Sequence, residues 1–451
     1  MSSPASHFRS GLTGDRGGPA GADGTEPAAE YEDATAAAPE AAEELQDGMA
    51  EDAAKDVPLD APDAVQWEAQ DAVPDSVAGA SAVVVAPRPE PEIESPAYDG
   101  PSLVVAVTGA ASGMGERLVR RLAESQGVRR VLAIDERRGE TKGVQWRVLD
   151  VRDPAVAERL AGVDVVVHLA LDLGMESDPK ARSAYNVRGT QTVITAAAAA
   201  GVHRVVLCTS AMVYGALADN EVPLAEDAPL RATEEATLVG DLLEIERLAA
   251  RAPHVHPGLS VTVLRPAVVV GPGVDTVLTR HFEAPRLLVV AGSRPCWQFC
   301  HVDDLTAALE YAVLGLVEGE VTVGCDGWLE QEEVEQITGI RRMELPATLA
   351  LGTAARLHRL GLTPAPAGDL AYTMYPWVVS GSRLHEAGWR PRYGNDQVLA
   401  ELLTQVSGNH AVAGRRLSGK DAATSLGAAG ATVALVGTAA LVRRARKRRR
   451  G

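Results

Sequence analysis

Cysteine is scarce here: the chain's 451 residues hold only Cys208, Cys296, Cys300 and Cys325. That excludes a disulfide framework and points to a reducing compartment. Cys296, Cys300 and His301 share one apolar stretch, but no fourth ligand is spaced to join them, so no metal site is expected. No apolar run lies between Met1 and Ala50, so no secretory leader is expected. No internal repeat is evident. Two further gaps matter later: there is no tyrosine between Tyr214 and Tyr311, and no lysine between Lys180 and Lys420.

Charge is present but unevenly placed. The net charge of −18 sits entirely in residues 1–100, which hold 22 Asp and Glu against four Lys and Arg. The rest carries 39 of each sign, and seven of its cations fall between Arg443 and Arg450. No basic surface is suggested in the middle, so nucleic acid is not an expected partner.

Residues 1–100 are rich in Ala, Asp, Glu, Pro and Gly and cannot bury enough apolar surface to offset ordering entropy; a disordered acidic arm is expected. Ala80 to Pro87 is its apolar patch, read as idle rather than as a docking peptide. A folded region is expected over 101–410. Within it, apolar runs at Leu103–Val107, Val131–Ile134, Trp146–Leu149, Val163–Ala170, Val205–Cys208 and Ser260–Leu264 read as strands. Helical patterns lie between them, notably at Asn186–Ala200 and Thr233–Ala252. The alternation predicts an α/β fold, a doubly wound, mainly parallel sheet covered on both faces. Residues 274–300 and 330–375 break the alternation and are assigned to a smaller C-terminal substrate lobe.

The organising stretch is Ser102 to Arg138. A strand ends at Thr108-Gly109, glycines follow at 113 and 115, Leu118, Val119 and Leu122 share one helical face, and Asp135 ends the next strand. Glycines let the backbone approach a pyrophosphate, the helix N-terminus offers free N–H groups, and the acid accepts from a ribose diol. The spacing is TGxxxGxG rather than GxGxxG, and a plain βαβ turn is the bland alternative.

Taken in order, the segments resemble the short-chain dehydrogenase/reductase superfamily, in its extended, NAD-dependent epimerase/dehydratase-like branch with a Rossmann fold. TGAASGMG at 108–115 resembles the cofactor loop, with the spacing of the classical branch because Ser112 stands where the extended branch has glycine. Asp135 matches the ribose acid and Asp150-Val151 the adenine pair. HLA at His168–Ala170, NVRGT at Asn186–Thr190, TSAMVYG at Thr209–Gly215, LRPAVVVGPG at Leu264–Gly273, HVDDL at His301–Leu305 and SRLHEAGWRP at Ser382–Pro391 follow. The resemblance implies cofactor contacts at Thr108, Gly109, Ser112, Gly113, Met114, Gly115, Asp135, Asp150, Val151, Leu169, Ala170, Asn186, Arg265 and Pro266, and a catalytic serine at Ser210. NAD is the implied cofactor, with NADP left open by Arg137 and Arg138. A small-molecule substrate is implied, of the sugar-nucleotide kind, with Arg286 and Arg294 in the stretch that grips a diphosphate. A homodimer through the long helices is a further implication.

Bland roles stand beside these. His168 reads as a satisfied core histidine, Asn186 as a cap or kink, Asp303 and Asp304 as caps of a helix starting at Leu305, Tyr214 as a packing aromatic, and Arg265 as the partner of a carboxylate.

One departure is chemical. The family's Tyr-xxx-Lys pair falls on Leu238 and Leu242, counted back from Glu246. Leu238, Leu242, Ile245 and Ala249 form an apolar stripe instead. Asp241 and Glu244 project from other faces. NAD binding is expected; turnover by the usual dyad is not. Three readings follow: an NAD-dependent oxidoreductase or epimerase with atypical acid/base residues, a non-catalytic dinucleotide-binding sensor or scaffold, or an empty structural module.

After a linker at 411–421, residues 422–442 are uncharged and long enough at about 1.5 Å per residue to cross a hydrocarbon core of about 30 Å. Two readings stay open for this segment: a C-terminal apolar helix in or on a membrane, with 443–451 as its basic tail, and a soluble flexible tail. The expected location is cytoplasmic, with membrane association through 422–450 under the first reading.

Overall fold

In the computed structural model, the described residues are 95–407, except 112, 175–176, 236 and 361–366, together with a two-strand ladder at Ala411–Val412 and Arg415–Arg416. The acidic arm up to residue 94, Ser112, the apolar segment 422–442 and the basic tail lie outside them. Among the described residues no helix is long and apolar enough to cross a membrane.

Seven parallel strands form the central sheet: β1 (Leu103–Thr108), β2 (Val128–Asp135), β3 (Gln145–Val148), β4 (Val165–His168), β5 (Arg204–Cys208), β6 (Ser260–Pro266) and β7 (Glu320–Val323). Their order is β7-β6-β5-β4-β1-β2-β3. The chain reverses direction of growth between β1 and β4, which makes that edge the switch point where such sheets take ligands.

Period-two alternation along β1 shows how the sequence builds both layers. Val105 and Val107 face one side, where they meet Leu118, Val119 and Leu122 of helix α1 (Gly113–Glu124) and Leu305, Leu309 and Val313 of a later helix, Val302–Leu314. Val104 and Ala106 face the other, with α2 (Val156–Arg159), Val193 and Ile194 of α3 (Pro179–Ala199) and Leu242, Ile245 and Ala249 of α4 (Leu238–Val255). Strands buried on both faces read as continuous apolar runs, as these do.

Several expected boundaries move. α3 begins seven positions before Asn186, at Pro179, because Asp178 caps it by accepting from Ala181 N. α4 begins at Leu238 rather than Thr233, because Thr237 accepts from Gly240 N. The helix expected at Leu305 starts at Val302, with His301 as its N-cap. Asp303 and Asp304 are therefore not its caps: Asp303 pairs with Arg117 at 2.8 Å, and Asp304 accepts from the backbone of Arg392 and Tyr393.

Beyond β6 the chain forms a second core around Phe282, Trp297, Phe299, Trp377 and Leu402. Here the strand Leu287–Val290 pairs in parallel with the strand Arg342–Leu345, so the stretches 274–300 and 330–375 are joined. A 3-10 segment, Ala367–Thr373, returns from this region towards the sheet.

Candidate functional site

The turn after β1 is held by three glycines with different jobs. Gly109 has φ +69°, and a Cβ there would lie 2.7 Å from the Leu169–Ala170 peptide. At Gly115 a Cβ would strike the Gly109 carbonyl at 1.9 Å, so the first turn of α1 presses on the strand end. Gly113 has φ +54° and nothing within 4 Å of a Cβ position. The first two close the turn; the third leaves its outer face open at the helix N-terminus, the arrangement that suits an anionic diphosphate.

Asp135, the last residue of β2, is tied to this turn. One carboxylate oxygen accepts from Ala111 N at 3.0 Å and the other from Arg137 N at 3.2 Å. A carboxylate takes about four hydrogen bonds, so capacity for a diol remains. The residues present thus fit a dinucleotide: backbone of 109–115 for its phosphates and Asp135 for a ribose.

On the β3 side, Asp150 and Arg152 pair at 2.6 Å, and the Arg152 guanidinium holds the Asp150 carboxyl below its usual range. Arg152 also lies over the Tyr185 ring, 5.1 Å from its centroid. Burial, then the carboxylates of Glu136, Asp150 and Asp135, push the Tyr185 hydroxyl up to about 12. Sequence reading missed Tyr185, since nothing local links it to β2 and β3. Val151 is buried in the core with its side chain 3.2 Å from a Cβ position at Gly189.

Behind the turn runs a buried polar chain. Thr190 Oγ1 donates to the Asn186 carbonyl at 2.7 Å, so it must accept from His168 Nε2, 3.1 Å away. That tautomer leaves Nδ1 to accept from Thr108 Oγ1 at 2.7 Å, while Thr108 Oγ1 accepts from Leu169 N. Burial lowers the His168 pKa to about 4. His168 is the core histidine of the bland reading. Asn186 neither caps nor kinks: its amide accepts from Asp172 N at 2.7 Å and donates to Asp172 O at 3.0 Å, clamping the loop after β4. Met114 is half-buried against the same core as α1, and Leu169 and Ala170 line the back of the Gly109 turn.

Ser210 leaves β5 half-buried and caps the 3-10 turn Ala211–Tyr214, its hydroxyl accepting from Met212 N at 3.2 Å. Its own proton is free to be donated to a ligand oxygen. The preceding Thr209 donates to Glu246 at 2.6 Å. Arg265, expected beside the cofactor, is spent elsewhere. Its Nε and Nη2 bond both oxygens of Glu246, at 3.0 and 2.8 Å, and Nη1 reaches Tyr214 Oη and the Glu226 carbonyl. A buried guanidinium needs such partners, and the carboxylate reading of Arg265 is the one observed. Pro266 is buried at the end of β6, opposite Val323. Tyr214 packs fully buried and donates to Glu226 O.

On α4, Leu242 is 2% exposed and Ile245 1%, both in the layer beneath the sheet, with Leu238 half-buried at the helix start. Asp241 pairs with Arg182 of α3 at 2.8 Å and Glu244 with Arg247. The described lysines are Lys142 and Lys180, both exposed. A tyrosine does approach from the C-terminal lobe: Tyr372 donates to the Met212 carbonyl at 2.7 Å, not to Ser210. Burial raises its pKa, so it stays a neutral strap. Arg286 and Arg294 are both exposed.

With this geometry established, likeness to known proteins is informative. The family model described as the NAD dependent epimerase/dehydratase family matches residues 105–323. An uncharacterized protein of Mycobacterium tuberculosis is 30% identical over 307 residues, covering 64% of this chain and 80% of that one. A dTDP-glucose 4,6-dehydratase of Streptomyces griseus is 29% identical over 231 residues, 45% of this chain and 67% of the dehydratase. Among solved structures, MoeE5 in complex with UDP-glucuronic acid and NAD is 25% identical, with a TM-score of 0.51 over 67% of this chain and 99% of its own. Motif order, sheet topology and sequence likeness agree: the chain belongs to the NAD-dependent epimerase/dehydratase family, within the short-chain dehydrogenase/reductase superfamily.

Proposed function

We propose that this protein binds NAD across the β1–β4 switch point and holds, beside Ser210, a nucleotide sugar or a similar alcohol or carbonyl ligand. The observation that carries the reading is the open face of Gly113 next to Asp135. A plain βαβ turn needs neither a positive-φ glycine with open space beside it nor an acid bolted to the turn. Family membership and the NAD seen in MoeE5 support it, as does the UDP-sugar in that complex.

The backbone of 109–115 holds the diphosphate, Asp135 orients one ribose, and Ser210 donates to a ligand oxygen. When bound, NAD supplies a hydride acceptor. The proton-handling pair is replaced by Leu238 and Leu242, and loss of a general acid/base costs about 10² to 10⁴ in rate. The packing of Leu242 in the core favours a second reading, a dinucleotide-binding sensor or scaffold that turns over slowly or not at all.

Calorimetry with NAD and NADP tests the first claim; saturable NAD binding is expected, and absence of binding by either sinks it. A panel of sugar nucleotides, followed by cofactor absorbance, separates the two readings. Turnover supports an enzyme, whereas ligand binding without turnover supports the sensor.

A further inference from the structure

The dinucleotide reading places one ribose on β2, at Asp135. The other half of such a ligand then extends across the switch point to β4 and β5, where Ser210 leaves the sheet. What stands there besides Ser210 comes from far along the chain. The 3-10 segment Ala367–Thr373 is anchored by Tyr372, whose hydroxyl meets the Met212 carbonyl at 2.7 Å, two residues past Ser210. In a 3-10 helix, side chains three apart share one face. Asp369 is three before Tyr372, which places the two residues on the same face of the turn. Gly368 fixes the other neighbour: a Cβ there would lie 3.9 Å from Glu235 Oε2. Glu235 stands three residues before Leu238, at the start of α4.

We propose that Asp369 faces the nicotinamide end of the bound dinucleotide and carries the exchangeable proton of this site. The inference rests on the reading that the glycine turn binds NAD.

Asp369 is half-buried, and no hydrogen bond from a described residue engages its carboxyl. Burial, then the nearby Glu235 carboxylate, raises its pKa to about 6, against the pull of His358 on helix Ala347–Arg359 and of Arg182 on α3. Arg182 is itself neutralised by Asp241 of α4, and Tyr372 stays uncharged. The cluster is therefore short of positive charge. A cationic ring placed beside it favours the ionised carboxyl, so Asp369 gives its proton to solvent as the ring arrives. Oxidised NAD brings that charge; the reduced form does not.

The experiment is calorimetric binding of NAD and of NADH to the full chain, at pH 5, 6, 7 and 8, in buffers of different ionisation heat. Up to about half a proton released on binding NAD at pH 6 is expected, falling to none by pH 8, with none for NADH. NAD affinity should rise by about fivefold between pH 5 and 7 if the ring lowers the carboxyl by about one unit. Asp369→Asn should abolish the release and flatten the pH dependence, while His358→Gln should leave both in place. NAD binding without proton release, or release that survives Asp369→Asn, overturns the assignment even though NAD binds. Equal release with NADH overturns it within the wild-type protein, without recourse to a variant. Absence of NAD binding at every pH overturns the underlying dinucleotide reading first, and this inference with it.

Discussion

The Arg265 guanidinium and the Glu246 carboxylate meet through two hydrogen bonds, at 3.0 and 2.8 Å, with side chains 6% and 4% exposed. Burial opposes the Arg265 charge, and Glu246 with Tyr214 more than offsets it, so the pKa is raised. Glu246 also accepts from Thr209, one residue before Ser210. One pair thus links β5, β6 and α4 immediately behind the candidate ligand site.

Removing one partner of such a pair leaves a buried charge uncompensated. Glu246→Ala should cost about 3–5 kcal/mol, read from urea unfolding. The double change Glu246→Leu with Arg265→Met should cost clearly less than the single one, since the desolvated charges leave together. Equal losses in the single and double variants would show that packing, not charge, dominates this junction.

His168 makes stability depend on acid. Its pKa is about 4 when folded against 6.5 for an ordinary histidine. Between those values the unfolded chain holds a proton that the folded one lacks, so stability is full above pH 6.5 and falls towards pH 4. The contribution is about 3 kcal/mol for one fully buried group. His281 is also lowered to about 4 by burial and adds to the slope. Urea midpoints between pH 7.5 and 4.5 should fall steadily in the wild type. The decline should be shallower, but not abolished, in His168→Gln.

The glycines of the turn should separate binding from folding. Gly115→Ala drives a Cβ into the Gly109 carbonyl at 1.9 Å, a backbone atom that cannot step aside, so the fold itself should suffer. Gly113→Ala meets no atom within 4 Å and pays only for its positive φ, about 1–2 kcal/mol. Its methyl group points into the open face that a diphosphate would use. Gly113→Ala should therefore remain folded by circular dichroism while NAD affinity drops at least tenfold. Unchanged affinity would mean that the ligand does not approach this face.

How much of this was legible in the sequence depends on the range of the contacts. Strands such as Leu103–Thr108 declare themselves through apolar runs, and Asp135 through its place at a strand end. Helix starts differ from the apolar periodicity wherever one capping residue decides them: Asp178, Thr237 and His301 each set a boundary that periodicity alone does not mark. The role of Arg265 depends on a carboxylate nineteen residues away, a pairing that neither residue's local sequence marks. Asp369 and Tyr372 were invisible because they act from a segment about 160 residues beyond Ser210, in a region whose pattern names no motif.

Leu242 offers the sharpest test of the proposed loss of the dyad. The motif resemblance assigns it to the family's lysine position, and it is 2% exposed among Ile245, Ala249 and the strand residues of the same layer. A lysine there has no solvent route and no free carboxylate on its own turn, since Glu246 is committed to Arg265 and Asp241 to Arg182. Leu242→Lys should therefore destabilise by about 3–5 kcal/mol, the cost of an uncompensated buried charge, and recover as pH rises from the depressed pKa of the new ammonium towards the ordinary lysine value. Leu238→Tyr, at a half-buried helix start, should cost less than about 1.5 kcal/mol. If Leu238→Tyr with Leu242→Lys folds at wild-type stability and gains turnover, the surrounding pocket was still built for the dyad. If the pair unfolds at neutral pH while Leu238→Tyr alone does not, the layer beneath α4 has repacked around leucine, and the site has lost its proton-handling geometry as well as its residues.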